Sequence, residues 1–140
     1  DRGSVVVYNQ GFEQGVFREL AEAFPVDAAW CEDIISRMVD LLAPFRAFHY
    51  YNPAQKGSAS MKKVLPALTG QGYSDLAIND GELASVRFYA TTFGDVPSAE
   101  RQSVREALEE YCGQDTEGMI WIVDRLNSSS ASPKRESASS

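Results

Sequence analysis

The 140 residues are 44% hydrophobic and carry a net charge of −7, with an isoelectric point near 4.7. This is enough chain for one domain with its own core. It excludes a protein that coats nucleic acid through a broad basic surface, but not one that holds nucleic acid through a local groove and metal ions. Cys31 and Cys112 lie far apart and form no CxxC pattern, so neither a zinc site nor a disulfide framework is expected. No apolar run approaches the roughly 18 residues of a membrane span, and DRGSVVVYN lacks the layout of a signal peptide. A reducing cytoplasm is the expected setting.

The chain opens on Val5-Val6-Val7-Tyr8, a β-branched run without polar alternation that predicts a buried strand ended by Asn9 and Gly11. Such a strand needs neighbours on both sides, so the natural domain is expected to begin earlier than Asp1. Phe12, Val16, Phe17, Leu20 and Phe24 space out a helix face that Pro25 ends. Ala28 to Ser36 predicts a second short helix, and Arg37 to Leu42 fits either a strand or a continuation of that helix. Phe45 to Gly57 is aromatic and irregular.

Ser58 or Ser60 is placed to cap a helix through Met61, Val64, Leu65 and Leu68 that Gly70 closes. Asn79-Asp80-Gly81 punctuates the chain, and Leu83, Val86 and Ala90 are the expected inner face of the following helix. A last long helix carries Val104, Leu108, Tyr111, Cys112, Met119, Ile122 and Leu126 at steps of three and four. From Asn127 to Ser140 the serine-rich sequence has no large apolar residue and predicts disorder. The expected organisation is therefore 1–126 as folded chain and 127–140 as a disordered tail.

Two acids fall where core residues or caps are expected. Asp115 lies on the apolar stripe of the long helix, and Glu13 follows the first strand at a helix start. An inward carboxylate must be paired, protonated or bound to a cation, and Mg²⁺ takes hard oxygen ligands of this kind. Glu13 also suits a helix first turn through the helix dipole. Asp40 fits a structural cap, and His49 a packed or exposed loop position. Lys56, Lys62 and Lys63, with Ser58 and Ser60, suit phosphate contacts or a solvated helix face. Tyr50 and Tyr51 fit base stacking or core packing.

YCGQD, with Tyr111 and Asp115, resembles the third motif of the tyrosine subtype of the DEDD 3′–5′ exonucleases, Tyr-x-x-x-Asp. YNQGFE, with Asn9, Phe12 and Glu13, is similar to their second motif. VVYNQGFE, RMVDLLAPF, YYNPAQKGSASMKKVLPAL, LAINDGELAS and YCGQDTEGM together resemble a bacterial family, domain of unknown function 2779, of the exonuclease-like, RNase H-like class. The resemblance runs from about Val5 to Leu126.

It implies an α/β, RNase H-like fold, helix-rich and incomplete at its N-terminus, this chain being the C-terminal portion. It implies a metal-dependent nuclease module using Mg²⁺ or Mn²⁺ and acting on single-stranded DNA or RNA in the complete protein. Tyr111, Asp115 and Glu13 would be catalytic, Glu13 and Asp115 metal ligands, and Asn9, Phe12, Lys62 and Lys63 substrate contacts. Glu13 stands where that family usually has Asp, and the family's Asp-x-Glu motif has no match here. The chain alone is therefore expected to be inactive and marginally stable. The alternative is an RNase H-like scaffold or partner-binding domain without chemistry.

Overall fold

The computed structural model describes residues 2–130. Helix dominates, beside one small parallel sheet, which is an α/β chain at the coarse level. The chain divides within one helix into two compact units, Asp1–Ala67 and Leu68–Ser140, where composition alone suggests one.

In the first unit, strand β1 (Val5–Val7) leads into helix α1 (Gln10–Ala23). Pro25 turns the chain through a short 3-10 segment, Pro25–Asp27, into α2 (Ala28–Ser36). Strand β2 (Met38–Asp40) then returns beside β1 in parallel, pairing Val5 with Met38 and Val7 with Asp40. The Arg37 carbonyl accepts from the Val5 N–H at 2.9 Å, and the Val7 carbonyl from the Leu41 N–H at 2.8 Å. This pairing settles Met38–Asp40, the middle of the Arg37 to Leu42 segment, as strand, because β-branched Val39 finds a ladder there. Val7, Cys31, Met38, Leu41, Leu42 and Phe45, with Val64 and Leu65 of the later helix, are the buried apolar residues of this unit.

The apolar face expected to bury α1 is mostly open. Phe12 is 66% exposed, and Val16, Leu20 and Phe24 are exposed with it, while Phe17 packs on Trp30. Among the described residues, β1 and β2 are the whole sheet, so each keeps one unpaired edge. After β2 come α3 (Ala43–Arg46) and a 3-10 turn at Pro53–Gln55, held by a capping box between Asn52 and Gln55. Within the segment read as irregular, His49 is exposed.

Helix α4 (Met61–Thr69) ends at Gly70, whose φ of 76° is the left-handed conformation glycine adopts without strain. The second unit continues with α5 (Gly81–Phe93) and α6 (Ser98–Ser130), which pack on each other. The expected inner face of α5 needs correction: Val86 and Ala90 are exposed and Thr91 is buried. The Thr91 hydroxyl donates to the Arg87 carbonyl at 2.8 Å, which lets a polar side chain sit inside a helix contact.

On α6, Tyr111 and Ile122 are buried as the stripe predicts, but Cys112 is exposed. The helix runs past Leu126 to Ser130, and the hydroxyls of Ser128 and Ser129 donate back to the Asp124 and Arg125 carbonyls. The remainder of the expected disordered tail, 131–140, lies outside the described residues. No helix among the described residues is long and apolar enough to cross a membrane.

Candidate functional site

The two motifs fall in different units. In the first, Asn9 stands at the turn from β1 into α1 with φ 74° and ψ 71°, a left-handed conformation that asparagine tolerates better than most residues. Its N–H donates to Asp40 Oδ1 at 3.0 Å, and its carbonyl accepts from the N–H groups of Phe12 and Glu13, starting the helix. Asp40 Oδ1 also accepts from the Leu42 N–H at 3.0 Å. Asp40 thus holds the end of β2 to the turn after β1, a structural role, although its side chain caps neither α1 nor α3. Glu13 is half-buried in the first turn of α1, where the helix dipole favours an acid. Phe12 points largely to solvent.

Asn9 also lines a cavity of about 420 Å³ with Tyr8, Leu42, Arg46, Ser60 and Met61. The start of α4 therefore meets the Asn9 turn, and Lys62 and Lys63 are exposed on its first turn. Ser58 Oγ accepts from the Ser60 N–H at 3.2 Å, and the Ser60 carbonyl accepts from Lys63 and Val64. Tyr8 opens the YNQGFE stretch without holding one of its motif positions, and Arg46 belongs to no motif, so neither was legible as a site residue. The Tyr8 hydroxyl donates to the Ala59 carbonyl. Burial first and Asp40 second push its phenol far above the ordinary range, with Arg46 opposing.

In the second unit, Tyr111 and Asp115 lie one turn apart on α6. Tyr111 is only 9% exposed and Asp115 is half-buried. The Tyr73 hydroxyl donates to Asp115 Oδ1 at 2.7 Å, and the Tyr73 and Tyr111 rings lie 5.9 Å apart at 53°. Gln114 adds a bond from Nε2 to the Gly72 carbonyl at 3.2 Å. Tyr73 escaped the sequence reading because it belongs to no periodic segment and meets Asp115 across 42 residues of chain.

Burial raises the Tyr111 pKa, followed by the charges of Asp115 and Asp80. Asp80 Oδ1 meanwhile caps α5 by accepting from the Leu83 N–H at 2.8 Å. The phenol therefore keeps its proton at neutral pH, close to the charges of two carboxylates.

A divalent cation needs more oxygen donors than these. Among the described residues, no three His, Cys, Asp or Glu side chains gather around one point. Glu13 and Asp115 belong to different units, and among the described residues the carboxylates acting on Tyr111 are Asp80 and Asp115, each already accepting a hydrogen bond. The described residues do not by themselves fit a Mg²⁺ or Mn²⁺ centre.

Residues 1–60 match the model of a family described as a domain of unknown function (DUF2779). The matched segment holds Asn9, Phe12, Glu13 and Asp40, and the Tyr111–Asp115 pair lies beyond it. No curated protein and no solved structure matches the chain.

Proposed function

We propose that this chain is part of a nuclease-like module that, in the complete protein, serves 3′–5′ hydrolysis of phosphodiesters in single-stranded DNA or RNA. The observation that carries the reading is the Tyr111–Asp115 pair, one turn apart on α6, with the carboxylate oriented by the Tyr73 hydroxyl. A buried phenol that keeps its proton suits the orienting of a nucleophile or a phosphate oxygen, and a fixed carboxylate suits a metal-ligand role. Asn9, Phe12, Lys62 and Lys63 would contact the strand, and Glu13 would add a second acid. Since these acids do not complete a metal centre, further carboxylates would come from other parts of the complete protein, and the chain alone is inactive.

The test is Asp115→Asn in the complete protein, assayed for Mn²⁺-stimulated degradation of single-stranded DNA and RNA. Loss of a ligand or its orienting contact is expected to lower the rate by about 100-fold. An unchanged rate overturns the role of Asp115.

A second reading, a partner-binding scaffold without chemistry, is favoured by the hydrogen bonds that already occupy Asp80 and Asp115 and by the exposed apolar residues of α1 and α5. Calorimetric titration of the complete protein with Mn²⁺ separates the two. The scaffold predicts no stoichiometric binding that Asp115→Asn abolishes.

A further inference from the structure

Helices α5 and α6 enclose a cavity of about 190 Å³ lined by Phe88, Thr91 and Thr92 on one side and Arg101, Arg105 and Leu108 on the other. All six belong to the second unit, and none is an acid. Arg101 and Arg105 sit four residues apart on one helix face, a like-charge spacing that disfavours the helix unless something neutralises it. Neither guanidinium has a carboxylate partner among the described residues; Arg101 reaches only the Val96 carbonyl, at 3.5 Å. Two unpaired guanidiniums converging on one cavity are conspicuous in a chain of net charge −7.

From this geometry we infer that the α5–α6 cavity binds one phosphate of a single-stranded nucleic acid. Guanidinium forks match phosphate oxygens with paired N–H donors. Thr92, exposed at the same wall, adds a hydroxyl. Phe88 is 54% exposed and presents an aromatic face on which an adjoining base stacks without regard to sequence. The cavity is smaller than the roughly 300 Å³ at which ordinary small-molecule pockets begin. It therefore suits one backbone phosphate of a strand that continues outside, rather than an enclosed nucleotide. The site is separate from Asp115 and needs no metal.

The 140-residue chain is titrated calorimetrically in EDTA with hexathymidylate and with thymidine monophosphate. Saturable binding of the hexamer is expected, at least tenfold tighter than the monophosphate. R101Q/R105Q is expected to weaken it tenfold or more and to reduce the slope of log K against log salt by about 0.7, one phosphate neutralised on a single strand. Phe88→Ala is expected to weaken binding about fivefold with the slope unchanged. Arg18→Gln on α1, an equal charge loss elsewhere, is expected to leave binding as it was. Absence of saturable binding, an unchanged slope in R101Q/R105Q, or an equal loss in Arg18→Gln overturns the phosphate site. Equal affinity for the monophosphate overturns its assignment to a strand. Because EDTA removes any metal-dependent hydrolysis, failure here leaves the role of Asp115 standing, and the converse holds too.

Discussion

Two phenols of this chain are held in surroundings that resist their ionisation, and the sign of the consequence follows directly. Tyr8 is shifted upward by burial and by Asp40, and Tyr111 by burial, Asp115 and Asp80. In the unfolded chain a tyrosine loses its proton near pH 10, so above that pH the unfolded state binds fewer protons than the folded one. Stability that is fully present below about pH 10 is then lost as pH rises through the folded values. Thermal melts are expected to hold a level midpoint up to about pH 9 and to fall beyond 10. Tyr8→Phe removes the larger contribution: it starts lower, by about 1 kcal/mol for the lost bond to the Ala59 carbonyl, but declines less steeply. A midpoint that rises with pH, or a Tyr8→Phe decline as steep as the parent's, contradicts this account.

At the scale of elements, Asp80 serves both the helix and the site, since its carboxylate caps α5 and its charge lies near Tyr111. Asp80→Ala is expected to cost about 1 kcal/mol in urea unfolding, while Asp80→Asn, which keeps the capping oxygen, stays close to the parent. Equal midpoints for Asp80→Ala and the parent would remove the cap from the account. The start of α5 was legible because Asn79-Asp80-Gly81 is a local punctuation signal, though the Asp80 cap itself was not read from it, and α2, with bounds set by Pro25 and by its short apolar spacing, was legible for the same reason. Arg37 to Leu42 stayed ambiguous because only pairing with Val5–Val7, far away in sequence, makes its Met38–Asp40 part a strand. The α5 face was misjudged because Thr91 satisfies its own hydroxyl on the helix backbone, a bond hydropathy does not register. Of the candidate site, the Tyr111–Asp115 spacing could be read on one helix. Tyr73, Tyr8 and Arg46 could not, since each acts through residues distant in sequence.

Across the whole molecule, the surface sets two forces against each other. Phe12, Val16 and Leu20 on α1 and Phe24 at its C-cap recur every fourth residue and are all exposed, Val26 beyond them is 90% exposed, and Phe88, Tyr89 and Phe93 are exposed on α5. Soluble monomers rarely leave apolar patches larger than a few hundred Å² uncovered, and the unpaired edges of β1 and β2 add backbone groups open to further pairing. Against association stands the net charge of −7, whose repulsion acts over a Debye length of about 8 Å at physiological salt and about 3 Å at 1 M. Raising salt therefore weakens the repulsion while leaving apolar attraction intact or stronger. In sedimentation velocity the 140-residue chain is expected to show a weight-average coefficient that climbs with protein concentration and climbs further with salt. Phe12→Asp combined with Phe24→Asp places charge in the α1 row and is expected to return it toward the monomer value. A single boundary independent of concentration and salt, together with a cooperative melt at high temperature, would mean that these exposed residues neither drive association nor leave the fold marginal.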